Sequence, residues 1–526
     1  MKILVIGGTG VVAEGLIPAL LKHKHEVTVL SRYAEAERET WLHGVKTRDA
    51  DVADPGTLQG VAEGIDAVIH LTGIVEESLP DVTFERVNIQ GTRNVVAEAA
   101  RAKVRRLLYV SSLGADRGSS DYHRSKLAAE EEVRRSPAGW TILRPGGVYG
   151  PGDQTISTVL KLVRNAPVVP VVDLGNQLFQ PIWYEDLGLA VTRCVESDSL
   201  DGETIDLAGL ETITVNDLIA RLRKLTNRSV PILPIPSVLA KIALTVGGWL
   251  RTGMTRLGAR NKLELPLNEA KLAMLLEGNF IREGVENGLP GLLRNDPTPL
   301  AEGLRRLVDE MPELVPSRGI GRLIRKRFWS KLDRKKAGSA EQLMDHFKHE
   351  IGDIMPIDFC AEPGASSCIE PGCTFTAQLP VRGNIQIRVE ECDPTSVIFM
   401  TIEGHPLAGM VQFEAIDQPA ATLFCIEVHS RAGSALDWMA ERTFAGYFQN
   451  RTWKGVLKRL ARSTGCPTPS IEFRRETVAQ GEAEELDERA LALVRRRKRN
   501  EGAKLIPLRE ESSHLERAKR QVLDSD

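Results

Sequence analysis

Cysteine is scarce, with seven in 526 residues. Their spacing is irregular, which excludes a disulfide framework. Charge of one sign is also missing: 68 Lys and Arg face 71 Asp and Glu, a net charge of −3. That balance argues against a nucleic-acid binder working through bulk electrostatics, and no nucleic-acid partner is expected. Long apolar runs are absent. The longest, Val238 to Leu250, is broken by Lys241 and two glycines and falls short of the roughly 20 residues a membrane span needs. The opening MKILVIGG lacks the pattern of a secretory leader. No transmembrane segment and a cytoplasmic location are therefore expected. What remains is 42% hydrophobic and 26% charged, enough to fill large cores, in two to four domains at roughly 150 residues each.

Over residues 1–150, short β-branched runs alternate with helical patterns. Ile3–Ile6, Val27–Leu30, Ala67–Leu71, Leu107–Ser111 and Thr141–Leu143 read as buried parallel strands. Phe84–Ala102 and Ser120–Arg135 have helical spacing. The alternation predicts an α/β fold with a doubly wound parallel sheet. From about residue 151 to 312 the character is mixed, with helices expected at Val215–Leu225 and Leu300–Asp309 and a proline-punctuated loop at Pro231–Pro236. This reads as a small cap on the sheet's carboxyl edge.

The buried run Ile3–Ile6 ends in Gly7-Gly8-Thr9-Gly10 and opens a helix. Gly7 permits a tight turn, Gly10 lets the backbone approach a pyrophosphate, and Ala13 is small enough for the helix to pack on the strand. The helix start offers free N–H groups to the phosphates. The second strand ends in Ser31-Arg32, where a site selecting NAD places an acid. A serine and an arginine suit a 2′-phosphate, so NADP is favoured, with NAD as the alternative. Asp51 and Val52 follow the third strand and would border the adenine, although Asp51 also reads as a turn cap. Leu71-Thr72-Gly73 ends the fourth strand and would lie beside the cofactor.

Tyr122 and Lys126 lie four apart on a predicted helix, hence on one face. A free tyrosine, with a pKa of about 10, is a poor base at neutral pH. A neighbouring ammonium and the positive nicotinamide ring are expected to lower that value, so that Tyr122 exchanges a proton with a carbonyl or carbinol oxygen while hydride moves to or from the nicotinamide. Ser112, ending the fifth strand, would bond the same oxygen. Asn88, in the preceding helix, would hold a relay water.

These segments occur in order with Asn88-Ile-Gln-Gly-Thr-Arg-Asn94, Ser111-Ser112, Arg144-Pro-Gly-Gly-Val-Tyr-Gly-Pro-Gly152 and Pro181-Ile-Trp-Tyr-Glu-Asp186. The set resembles an extended or atypical short-chain dehydrogenase/reductase of the epimerase/dehydratase type, over about residues 1–310. The resemblance implies a Rossmann fold, a nicotinamide cofactor and a catalytic set of Ser112, Tyr122 and Lys126, with Asn88 as relay. It also implies cofactor contacts at Gly7, Thr9, Gly10, Val11, Val12, Ser31, Arg32, Asp51, Val52, Leu71, Thr72, Gly73, Lys126 and Pro145. Only nine residues separate Ser112 from Tyr122, fewer than in many extended members. The cap, with Leu263–Pro266 and the stretch near Ala270–Asn279, resembles the branch that includes the Rossmann-type accessory subunit of respiratory complex I, where cofactor binding can be structural.

Residues 313–339 read as a basic linker: Arg318–Lys336 holds nine Lys or Arg and a single acid, Asp333. A solvated helix is the simple reading, and a peripheral membrane contact stays open. Over 340–466, alternation at Ile385–Val389 and Phe424–Val428, with runs at Val397–Ile402 and Val411–Ile416, predicts an antiparallel sheet. A long helix is expected over Leu436–Leu460, capped by Ser434 with Asp437 and stopped by Gly465 and Pro467. This α+β segment resembles helix-grip, SRPBCC/START-like domains. Such domains enclose an apolar cavity that Trp438, Phe444, Tyr447, Phe448 and Trp453 would line, unless these are plain core. Residues 467–526 read as a charged tail.

No metal site is expected: Cys360, Cys368 and Cys373 form no CxxC pair, and His346, His349 and His405 read as solvated or loop residues. The function expected is an NADP-dependent oxidoreductase acting on a small, apolar carbonyl or alcohol substrate, fused to a ligand-binding domain. A non-catalytic NADP-binding sensor or assembly protein and a sugar-nucleotide epimerase or dehydratase are the alternatives. The oligomeric state is left open.

Overall fold

The structure, a computed structural model, describes residues 1–35, 41–239, 276–294, 296–356, 362, 369–379, 383–434, 437 and 446–500. Seven strands build the first sheet: β1 (Lys2–Ile6), β2 (Glu26–Ser31), β3 (Lys46–Asp49), β4 (Ala67–His70), β5 (Arg106–Val110), β6 (Gly139–Pro145) and β7 (Glu203–Leu207). All pair in parallel, in the order β7-β6-β5-β4-β1-β2-β3. Both faces of the sheet's centre are covered, so β1, β4 and β5 are almost wholly buried, while the edge strand β3, Lys-Thr-Arg-Asp, is largely exposed. Along β1, Ile3 and Val5 join one core with α1 (Val11–Lys22) and α5 (Tyr184–Glu196). Leu4 and Ile6 join the other, with α2 (Gly91–Arg101) and α3 (Asp121–Arg134). The strand order reverses between β1 and β4, which opens a crevice at their carboxyl ends.

The cap carries α4 (Ile156–Asn165), α6 (Val215–Leu225) and α7 (Leu300–Asp309); the last two match the expected helices residue for residue. Thr214 caps α6 reciprocally with Asp217. The expected loop at Pro231–Pro236 is instead a strand, Ile232–Ile235, parallel to Val169–Val172. Pro234 is tolerated there because an edge strand need not donate on both sides.

The second sheet is antiparallel. Its strands are β8 (Ile320–Asp333), β9 (Thr374–Leu379), β10 (Gly383–Cys392), β11 (Ser396–Thr401), β12 (Leu407–Asp417), β13 (Ala421–Ala432) and β14 (Glu472–Thr477), in the order β9-β10-β11-β12-β13-β8-β14. One face packs on α8 (Ala340–His349) and α9 (Gly446–Ser463). Trp453 lies against Phe413, ring centroids 5.8 Å apart, as part of this core. Ser434 and Asp437 make the expected capping contact, Asp437 N–H to Ser434 Oγ at 3.2 Å, and α9 stops ahead of Gly465 at φ +71. Trp438 and Phe444 and the side chains of Tyr447 and Phe448 lie outside the described residues, as do Cys360, Cys368 and Leu263–Pro266.

Two expectations are corrected here. The basic stretch 313–339 is not a linker helix, because most of it is β8, paired between β13 and β14. Phe328 and Leu332 enter the core, while the cations find acids distant in sequence: Arg325 bonds Glu476 at 3.0 Å, and Arg327 bonds Glu427. The tail is not wholly solvated either. Residues 472–477 form β14, and α10 (Gln480–Asn500) buries Leu486, Ala490, Leu493 and Val494 against Leu323, Ile398, Met400 and Met410 on the sheet's second face.

The two halves interlock. Ile402 is fully buried in the cap's core. Arg164 of α4 forms a two-pronged ion pair with Glu362, at 3.1 and 2.9 Å. Asn384 of β10 donates to the Thr226 carbonyl at 2.9 Å.

Candidate functional site

Gly7 has φ +91, and a Cβ there would lie 2.6 Å from Thr72 Oγ1, so only glycine lets the turn after β1 meet the end of β4. At Gly10 a Cβ would meet nothing within 4 Å, which leaves the backbone open to the crevice. Gly10 is the N-cap of α1 and offers no side chain to its amides. The first-turn N–H groups, including those of Val11 and Val12, have no intrahelical acceptor. Ala13 is fully buried beneath them. The close approach of α1 to α5 rests on a glycine pair not singled out in the sequence: a Cβ on Gly15 would lie 2.1 Å from the Tyr184 carbonyl oxygen. The open turn, the free amides and their positive helix end fit a pyrophosphate.

At the end of β2, Ser31 Oγ accepts from Tyr33 N–H at 3.3 Å, and Arg32 is exposed. Asp51 Oδ1 accepts from Ala53 N–H at 2.9 Å, which is the turn-cap role. Val52 is buried beside Gly91, where a Cβ would lie 2.8 Å from its Cγ2. Gly73 stands over the junction of two polar side chains: its Cβ would be 3.2 Å from Lys126 Nζ and 3.5 Å from Asn88 Oδ1.

The helix expected over Phe84–Ala102 opens with a wider i→i+5 turn, Glu85–Gln90, before α2. That widening carries Asn88 inward. Both atoms of its amide are engaged. Oδ1 accepts from Ile74 N–H at 2.8 Å, and Nδ2 donates to Ser125 Oγ at 2.9 Å and the Ile74 carbonyl at 3.1 Å. Asn88 thereby ties the loop after β4 to α3.

Ser120 caps α3, accepting from His123 N–H at 3.3 Å, and the helix presents Tyr122 and Lys126 to the crevice. Burial raises the Tyr122 phenol above the ordinary value, and the neighbouring Ser112 side chain only partly opposes that. Of the lowering expected, the ammonium's share is outweighed by burial, which desolvates both groups. Burial lowers the Lys126 ammonium to about 7, with Glu130 opposing. Lys126 Nζ donates to the Val110 carbonyl at 2.9 Å and lies 4.4 Å from the Tyr109 ring centre.

Three supports beneath the site had no signal in short-range spacing. Glu130 is fully buried and takes Arg144 through two bonds, 2.8 and 2.7 Å, with Ser111 Oγ at 2.6 Å. Burial pushes its carboxyl up, but the bonds from Arg144, Ser111 and Arg134 outweigh that and hold it below the usual range. His70, ending β4, donates to or accepts from Thr92 Oγ1 at 3.0 Å. Burial, then the charge of Lys126, drives its pKa down to about 3. From the cap, Glu277 reaches over to α3, accepting from Ser119 N–H at 2.8 Å, Ser120 N–H at 2.7 Å and His123 Nδ1 at 2.5 Å. Pro145, buried at the end of β6, receives Leu113 N–H on its carbonyl at 2.8 Å and so shapes the loop after Ser112.

Residues 3–208 match the profile of the NAD dependent epimerase/dehydratase family. A ceramide reductase of Caulobacter vibrioides is 34% identical over 178 residues, covering 34% of this chain and 55% of that protein. The mitochondrial NADH dehydrogenase (ubiquinone) 1 alpha subcomplex subunit 9 of Arabidopsis thaliana is 29% identical over 222 residues, covering 41% and 55%. A 2-alkyl-3-oxoalkanoate reductase of Stenotrophomonas maltophilia is 29% identical over 178 residues, covering 30% and 53%. The chain thus spans about half the length of these curated relatives. Among solved structures, an NADPH-dependent quinone oxidoreductase of Escherichia coli in complex with NADPH shares 22% identity at a TM-score of 0.47, covering 58% of this chain and 100% of that one.

Proposed function

We propose, from the match of residues 3–208 to the NAD dependent epimerase/dehydratase family, that the protein is an NADP-dependent oxidoreductase that reduces a small, apolar carbonyl compound. The observation that carries this reading is the convergence, around the crevice between β1 and β4, of an open glycine turn with the Ser112–Tyr122 pair and the buried Lys126. The bound nicotinamide dinucleotide would supply or take up hydride.

Each side chain has a defined task. The Gly7–Gly10 turn with the Val11 and Val12 amides holds the pyrophosphate, with Thr9 at its lip. Ser31 and Arg32 favour a 2′-phosphate over a free ribose hydroxyl. Leu71, Thr72 and Gly73 form the crevice wall beside Lys126. Ser112 donates to the substrate oxygen, and Tyr122 gives it a proton. A phenol whose pKa is raised is fully protonated at neutral pH, the form a carbonyl reduction consumes. Lys126 then offsets the phenolate charge, and Glu130 keeps Lys126 more readily charged than burial alone would. Asn88 acts as a positioning residue, since its amide is committed to Ile74 and Ser125. Names of relatives that include ceramide reductase and 2-alkyl-3-oxoalkanoate reductase support an apolar substrate.

The second half would hold or deliver that substrate. The first strand of its sheet pairs with the strand that precedes the closing helix, which supports a helix-grip, SRPBCC/START-like reading. The likeness to an NADH dehydrogenase subunit favours one second reading, in which the nucleotide is held without turnover. The test is NADPH oxidation across a panel of apolar ketones, aldehydes and quinones with wild type and Tyr122→Phe. Turnover in wild type that falls about 10²–10⁴-fold in the variant, with NADPH affinity retained, supports the enzyme. Tight NADPH binding without turnover on any member of the panel moves the conclusion to the second reading.

A further inference from the structure

Away from the crevice, the described residues bring three metal-ligating side chains together at the far end of α1. His23 follows that helix directly, Lys24 turns the chain with φ 62, and His25 leads into β2. Backbone bonds fix this turn: His23 N–H to the Ala19 carbonyl at 3.0 Å, Lys24 N–H to Leu21 at 2.9 Å and His25 N–H to Leu20 at 3.1 Å. Glu196, the last residue of α5, projects against it. One of its oxygens, Oε1, meets His23 Nδ1 at 3.0 Å and His25 Nε2 at 2.9 Å. The three ligand atoms all lie within 4.8 Å of one another. His25 Nδ1 lies 3.3 Å from the Met1 amino nitrogen, with Nε2 on the side of the carboxylate.

We propose that His23, His25 and Glu196 form a binding site for a divalent cation of the zinc class, with the remaining coordination positions left to water. In a tetrahedral zinc site, nitrogen and oxygen ligands at about 2.0–2.1 Å stand roughly 3.3 Å from one another. The two histidine–carboxylate separations need to open by a few tenths of an ångström, and the two histidine nitrogens, within 4.8 Å of each other, need to close by up to about 1.5 Å. Two imidazoles and a single carboxylate select zinc, cobalt, nickel or copper over magnesium and calcium. His25 is nearly buried, with 8% side-chain exposure, while His23 and Glu196 keep 29% and 35%, so water has a path to the open positions.

The site joins the ends of the two helices that pack through Gly15 and Gly188. The 12 residues of α1, at about 1.5 Å each, set it some 18 Å from the glycine turn. The cation would therefore brace the α1–α5 pair and take no part in hydride chemistry, and the proposal stands independently of the function above.

The test titrates the full chain, free of any affinity tag, with Zn2+ by calorimetry and with Co2+ by visible absorption. One equivalent binding at micromolar or tighter affinity, with Co2+ bands of a low-coordinate nitrogen–oxygen site, is the result expected. Affinity falling at least tenfold in both His23→Gln and Glu196→Gln, with the uncomplexed unfolding temperature held near that of wild type, confirms the ligands. Absence of a stoichiometric micromolar event in wild type overturns the proposal, as does binding that both variants leave unchanged.

Discussion

Replacing Lys126 by Met removes a charge that the fold holds in a dry place, and its effect on stability depends on pH. The side chain is 3% exposed and titrates at about 7 instead of 10.5. At about 1.36 kcal/mol per pKa unit, keeping that ammonium charged inside the fold costs about 5 kcal/mol. The sign follows from proton counting. Between pH 7 and 10.5 the unfolded lysine carries a proton that the folded one has lost, so wild-type stability rises with pH through this window. Below pH 7 both forms are charged and the full cost is felt. Lys126→Met has no such group, and every other titration is common to the two proteins. The variant is therefore expected to be the more stable at pH 6, with an advantage that shrinks by about 2–3 kcal/mol by pH 9. For the roughly 310 residues of the first half, at about 2.1 cal/mol/K each, that is roughly 3–5 °C in unfolding temperature. Scanning calorimetry of cofactor-free wild type and variant at pH 6, 7, 8 and 9 measures the difference. A gap constant across that range, or one that widens in the variant's favour, refutes the buried-ammonium reasoning.

Other perturbations have expected outcomes of their own. Arg32→Asp weakens NADPH binding by at least about tenfold, or about 1.4 kcal/mol, and leaves NADH binding within about threefold; equal loss for both removes the basis for preferring NADP. Glu277→Gln weakens the charge-assisted bonds from Ser119 and Ser120, so amide exchange at those two residues accelerates by about tenfold, and unchanged exchange shows that the cap contact does not hold α3. A chain ending at residue 478 loses α10, exposing Met400 and Met410, and leaves Glu313 without Arg497 and Lys498. Breaking such a buried ion cluster costs about 3–5 kcal/mol, so the second half unfolds at markedly lower temperature; an unchanged transition would return residues 479–526 to the status of a tail.

The parts of this molecule that were legible in its sequence are those whose signal is local. The Gly7–Gly10 turn follows a buried run directly, α6 carries its own capping box at Thr214 and Asp217, and Tyr122 and Lys126 share a helix face through a spacing of four. What escaped depends on partners far along the chain. The run of cations from Arg318 reads as solvated until Glu427 and Glu476 arrive opposite it on neighbouring strands. Likewise the apolar stripe of α10 looks sparse among so many charges until the second face of the sheet is there to receive it. Glu277 reaches α3 from 154 positions beyond His123. The direction of the Tyr122 shift also depended on depth: proximity to an ammonium argues for a lowered phenol, but burial reverses the sign, and depth is a property of the assembled fold.

The most direct measurement is the crystal structure of the protein with NADPH bound. The account predicts the pyrophosphate on the Val11 and Val12 amides, the 2′-phosphate at Arg32, and the nicotinamide ring within one small molecule's width of the Tyr122 hydroxyl, with Lys126 on the adjoining ribose. A cofactor bound elsewhere, or a nicotinamide ring turned away from Tyr122, would contradict it.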